Sequence, residues 1–174
     1  MEKVLIAVDG TGGSPGIMSL LREAVSEPKN IVLLHVQQLE GNTLMTAMLS
    51  DSEISTIKDS LKGTEYKEAL DRKAVKVLTH YKKELENIGF RGVKTVVRAG
   101  HPSEEILKVA EEEHADLIIV GCSGKSRLQR YVTGCASREV EKNAKVPVLI
   151  AKGVGMGCGE HDHVWNGREA YVVR

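Results

Sequence analysis

Leu117-Ile118-Ile119-Val120-Gly121-Cys122-Ser123-Gly124 opens the stretch that decides the fold, and nine residues later it closes on Gly134-Cys135. Four apolar residues, three of them β-branched or strand-favouring, run into a glycine loop, and a helix-like segment follows over residues 134–143. In this order, strand then glycine loop then helix, free backbone N–H groups and the positive end of the helix dipole meet an anion together. Glycine lets the backbone come close to it. The stretch therefore reads as one unit of a parallel sheet, with a candidate phosphate cradle at Gly121, Gly124 and Gly134.

Working outward, similar short apolar runs recur at residues 4–8, 31–36, 93–97 and 146–151, and longer helix-like stretches separate them. Ser14-Pro15 looks like an N-cap followed by proline at the first helical position, opening a helix to about residue 26. Residues 65–87 form a long charged helix that Gly89 closes. Ser103 is expected to cap a third helix, with Glu104 and Glu105 complementing its dipole. The order is βαβαβαβαβ, an α/β fold with an open five-stranded parallel sheet and helices on both faces. Residues 41–63 interrupt it with Leu44, Met45, Met48, Leu49, Ile54 and Ile57 among polar residues. They read as an insertion packing on the domain edge, with a lid as the alternative.

At 174 residues the chain suits one core domain, expected over residues 1–152, and a tail over 153–174. Lys plus Arg and Asp plus Glu both number 24, so no global field favours nucleic acid or an anionic membrane. No run is long enough to span a bilayer, and the first apolar run is too short for a secretory signal. Three cysteines without framework spacing suit a reducing compartment. The expected location is the cytoplasm. An open doubly wound sheet binds ligands beyond the carboxyl ends of its strands, where the strand order reverses, and Asp9 and Gly121 end the two strands at that point.

Further blocks turn this outline into a specific resemblance. Val4-Leu5-Ile6-Ala7-Val8-Asp9-Gly10, Leu33-Leu34-His35-Val36, Gly100-His101-Pro102-Ser103-Glu104-Glu105-Ile106-Leu107 and Val146-Pro147-Val148-Leu149-Ile150 accompany the glycine spacing GxxG, nine residues, G. Together they resemble the universal stress protein A family, whose GxxGx9G signature is followed by serine or threonine and binds the triphosphate of ATP. The resemblance covers residues 1–152 and implies a Rossmann-like, adenine nucleotide alpha hydrolase-like fold. It also implies a homodimer through the fifth strand and a regulator of the stress response whose ATP occupancy, with or without Mg²⁺, changes the surface shown to a protein partner.

Residue by residue, the resemblance implies that Ala7, Asp9 and Val36 border the base and ribose, with Val36 offering backbone groups to adenine. Val120 and Gly121 would flank the same pocket, and Gly124 would let the loop approach the phosphates. Gly134, Cys135 and Ala136 would contribute N–H groups at the start of the fourth helix. Asp9 could accept a ribose hydroxyl or help hold a divalent cation. Lys125, Arg127 and Arg130 lie between the second and third glycines, where one or two could pair with the β- and γ-phosphates.

Cys135 departs from the pattern by standing where the family has a hydroxyl. A thiol is a weak donor, and losing a hydrogen bond to a charged group costs about 1.5–3 kcal/mol, or roughly ten- to a hundred-fold in affinity. The backbone donors survive, so weakened ATP binding is expected. The alternative is a nucleotide-independent redox or metal sensor. Cys135, at a helix start near basic residues, should oxidise readily and could bridge to Cys122. Asn166-Gly167 signals a β-hairpin in the tail, placing His161 and His163 on one face with Cys158 nearby, three candidate ligands for a metal. His35 reads as a strand residue satisfied by neighbours. His35, His80, His101 and His114 have no triad-like context, so no catalytic residue is assigned, and at most slow ATP hydrolysis is expected.

Overall fold

A computed structural model of the chain describes residues 2–10, 15–24, 28–37, 65–121, 136–151 and 172–173. In chain order the elements are β1 (Lys3–Ala7), α1 (Pro15–Ala24), β2 (Asn30–Gln37), α2 (Glu65–Asn87) and β3 (Val93–Ala99), followed by α3 (Pro102–Glu112), β4 (Leu117–Gly121), α4 (Ala136–Asn143), β5 (Val148–Ala151) and β6 (Val172–Val173). They build one sheet in the order β3-β2-β1-β4-β5-β6. The first five strands are parallel, as their apolar runs predict. Such runs suit strands buried on both faces, and Val4, Leu5 and Ile6 in β1 are fully buried.

Alternation along the strands divides the core in two. On one face Val4, Ile6, Val8, Ile31, Leu33 and Ile119 pack with Ile17 and Leu21 of α1 and Leu78, Tyr81 and Leu85 of α2. On the other, Leu5, Val32, Leu34, Ile118 and Val148 pack with Ile106, Val109 and Ala110 of α3 and Val140 of α4. Helices thus cover both faces.

Local signals set the helix ends. Gly89, with φ at +100°, closes α2: its N–H donates to the Glu86 carbonyl at 3.1 Å, and the Phe90 N–H reaches back to Leu85 at 3.0 Å. This is a left-handed glycine stop. The expected Ser103 cap is corrected. Helix α3 begins at Pro102, and its N-cap is His101, which makes no side-chain cap bond. Proline lacks an N–H and has its φ preset for the first helical position, so the cap falls on the residue before it. At the tail, Val172–Val173 pairs antiparallel with β5 as a sixth strand. The expected hairpin turn at Asn166-Gly167 lies outside the described residues.

Candidate functional site

Strand order reverses between β1 and β4, so their connections leave in opposite directions and a cleft can open beyond their carboxyl ends. Ala7, the last residue of β1, lies in register with Val120 of β4, and Val120 in turn with Ile150 of β5. Val36 stands two residues past Leu34, the partner of Ala7 on β2. Ala7, Val36 and Ile150 are partly buried and, with buried Val120, belong to the cluster beneath α3 and α4. They make an apolar floor at the rim.

Beyond Ala7 the chain is turned by Gly10, whose φ is +75°. A Cβ there would stand 2.8 Å from Cγ2 of Val77 on α2. Backbone handedness and close approach both require glycine, so Asp9 is presented from a fixed turn. Asp9 is exposed. Its charge also reaches Tyr81: burial first, then the Glu84 and Asp9 carboxylates, push the Tyr81 phenol up to about 12.

Buried His35 steadies the same turn, with its Nδ1 2.8 Å from the Val8 carbonyl oxygen. A carbonyl can only accept, so Nδ1 carries the hydrogen. The Val8 N–H donates to the Leu34 carbonyl at 2.9 Å, so both polar groups of the residue before Asp9 are held. At the end of β2, buried Gln37 donates from Nε2 to Asp71 Oδ1 at 2.8 Å, and Lys67 Nζ donates to Gln37 Oε1 at 3.0 Å and to Asp71 Oδ1 at 2.9 Å. The Gln37 amide, then Lys67, hold the Asp71 carboxyl below the usual carboxylate range. This network fastens the first turns of α2 to the rim.

On the opposite face a second cluster ties α3 to α4. Ser103 Oγ donates to Glu139 Oε2 at 2.6 Å, and His101 Nδ1 lies 2.9 Å from Ser103 Oγ. With the serine proton on the bond to Glu139, the serine oxygen is left to accept from His101. A hydrolytic triad needs the imidazole to take the serine proton. Here it gives one instead, and Ser103 is 5% exposed. The cluster is a brace, not an activated nucleophile. No local spacing in the sequence announces it, since Glu139 is 36 residues from Ser103.

Of the residues expected to bind nucleotide, the structure brings Ala7, Val36, Val120 and Gly121 to one rim. Asp9 lies two residues past β1, and Ala136 is the first described residue of α4. Gly124, Lys125, Arg127, Gly134 and Cys135 lie outside the described residues, as do Cys122 and the tail set Cys158, His161 and His163. Among the described residues no group of three His, Cys, Asp or Glu side chains could hold a metal ion, and no helix is long and apolar enough to cross a membrane. What is described is an apolar rim at the reversal of strand order, an exposed carboxylate two residues past β1, and a helix that follows the glycine spacing.

Comparison with known proteins supplies an independent line. Residues 1–152 match the profile of the universal stress protein family. The chain is 32% identical over 127 residues to universal stress protein MJ0577 of Methanocaldococcus jannaschii, covering 71% of this chain and 77% of that one. The solved structure of MJ0577 superposes with a TM-score of 0.61 at 28% identity, covering 89% of this chain and 98% of the other. The fold is also that of a universal stress protein family member from Arabidopsis thaliana solved with AMP bound, at a TM-score of 0.57 and 19% identity, covering 89% and 94% of the two chains. A universal stress protein in complex with cAMP has the same fold, at a TM-score of 0.54 and 19% identity over 86% of this chain and 95% of the other.

Proposed function

This chain belongs to the universal stress protein family, and from that premise we propose that it is an adenine-nucleotide-binding regulator that acts through nucleotide-dependent contact with a partner. The observation that carries the reading is the rim itself. Ala7 and Val120 are register partners at the reversal of strand order, and the glycine spacing begins at Gly121, the next residue after Val120. Two relatives of the same fold hold AMP and cAMP, which favours the adenosine moiety as the recognised group.

In this reading the base lies on Ala7, Val36 and Val120, Asp9 accepts a ribose hydroxyl or helps hold Mg²⁺, and Gly121, Gly124 and Gly134 let the backbone approach the phosphates. Lys125 and Arg127 pair with the outer phosphates, and Cys135 and Ala136 offer N–H groups at the start of α4. A homodimer through the fifth strand, a cytoplasmic location and the stress response belong to the same proposal. In this reading the protein binds nucleotide and hydrolyses it slowly at most.

Calorimetric titration of the reduced, metal-free protein with ATP and Mg²⁺ tests it, with AMP and cAMP in parallel. Saturable binding that is lost in Gly124→Val is the expected result, because a side chain there keeps the backbone from the phosphates. Cys135→Ser should tighten ATP roughly ten- to a hundred-fold, the worth of one hydrogen bond to a charged group. The absence of heat and of thermal stabilisation at millimolar ATP would overturn the reading.

A further inference from the structure

The two ends of the sheet are protected in different ways. An edge strand offers unpaired N–H and C=O groups to any other strand, and charged side chains on it discourage such pairing. At one end, β3 carries Lys94 and Arg98, which pair with Glu113 and Glu112 of the α3 segment. At the other, β5 reads Val148-Leu149-Ile150-Ala151 and carries no charge. Its outer edge is instead covered by β6, with Val173 opposite Val148 and Val172 opposite Leu149.

That cover is short. β6 pairs with two residues of a four-residue strand, and residues 152–171 lie between it and β5. A second copy of β5 meeting the first antiparallel about a two-fold axis between Leu149 and Ile150 would pair Leu149 with Ile150 and Val148 with Ala151 in both directions. That pairing uses the whole strand and closes on itself, as an isologous contact must.

We propose that β6 is an intrachain cap that competes with a second copy of this chain for the β5 edge. The inference rests on the reading of a homodimer through the fifth strand and adds a control to it. While β6 is seated the edge is taken, and both chains must open theirs, so the apparent association constant is the intrinsic one multiplied by the square of the fraction of chains whose edge is open. Release of β6 raises that fraction. Whatever displaces or seats residues 172–173 therefore sets the oligomeric state without touching the nucleotide rim.

Sedimentation velocity over a concentration series of the full chain tests this with two opposed variants. Val172→Pro together with Val173→Pro removes both N–H donors of β6 and fixes a φ unsuited to the ladder. Its dimer Kd is expected to fall roughly a hundred-fold, about ten-fold from each of the two chains, the net worth of one to two backbone hydrogen bonds apiece. The second variant, Val148→Cys with Val173→Cys in a chain bearing Cys122→Ser, Cys135→Ser and Cys158→Ser, ties β6 to β5 when oxidised. It should dimerise at least about ten-fold more weakly oxidised than reduced. Equal dimer Kd values for the parent, the proline variant and both redox forms of the tied variant would overturn the cap and leave the dimer standing. Monomers throughout, at every concentration, would overturn both.

Discussion

Replacing Gly10 with alanine tests whether the rim depends on the turn after β1. The backbone there has φ at +75°, and an alanine in the left-handed region costs about 1–2 kcal/mol. The added Cβ would also sit 2.8 Å from Cγ2 of Val77, closer than carbon atoms tolerate, so the turn or α2 must move. Overpacking of this kind costs about 1–3 kcal/mol, and Val77 is only partly buried, which favours the lower half of that range. Together Gly10→Ala should cost about 2–4 kcal/mol and lower Tm by roughly 5–15 °C for a domain of this size. A double-mutant cycle separates the two contributions. Val77→Ala removes the obstructing methyl, so in that background Gly10→Ala should cost about 1–2 kcal/mol, the backbone part alone. Urea unfolding of the four proteins measures the cycle. A coupling energy near zero, or a cost of Gly10→Ala below about 0.5 kcal/mol, would refute the claim that α2 and a left-handed turn jointly fix Asp9.

Three further expectations follow from the bonds around the sheet. His35→Phe keeps a ring in place but leaves the Val8 carbonyl without its donor, so it should cost about 1–3 kcal/mol in urea unfolding, and a neutral result would show that water replaces the imidazole. Ser103→Ala should cost about 1–2 kcal/mol and should couple to Glu139→Gln in a double-mutant cycle, whereas additive effects would mean that the brace between α3 and α4 carries no energy. At the amino end of the sheet, the N–H groups of Lys3 and then Glu2 hold Asp116 below its usual 3.8, and Lys94 and then Lys3 hold Glu113 below its usual 4.5. Depressed carboxylates take up protons less readily folded than unfolded, so their contribution is complete above about pH 4.5 and is lost as pH falls through the lowered values. Urea midpoints measured from pH 6 to about pH 3 should show that loss, with a smaller slope in Asp116→Asn.

How much of this was legible in the sequence depended on distance along the chain. The strands were readable because residues buried on both faces of a parallel sheet form unbroken apolar runs, and Val4 to Ile6 and Leu117 to Val120 are such runs. That the ends of β1 and β4 lie side by side was readable because strand order alone sets where a doubly wound sheet reverses. Ser103 was misread: the local rule assigns serine to the cap, but the proline before it claims the first helical position and frees the hydroxyl for Glu139. Neither that brace nor the grip of Gln37 on Asp71, 34 residues away, leaves a periodic trace, because the partners meet through tertiary packing alone. A strand near the end of the tail was legible from Asn166-Gly167, but its antiparallel place beside β5 was not, since two valines are too few to set a register.

The rim is assembled from two halves that answer to different cores. Asp9 and the turn at Gly10 are held from the α1 and α2 face, through Val77 and the His35 bond to Val8. The apolar floor and the first turn of α4 are held from the other face, through Val140 and the Ser103 brace. Only the strands between them belong to both, and β1 and β4 are fixed to each other by four register pairs from Val4 with Leu117 to Ala7 with Val120. A ligand spanning the rim would therefore touch two units that are separately stabilised and joined through a stiff sheet. Among the described residues, binding energy from one half can reach the other by way of the strands that carry side chains in both cores, or through the ligand itself. A molecule bound across the rim would add a direct tie between these two units.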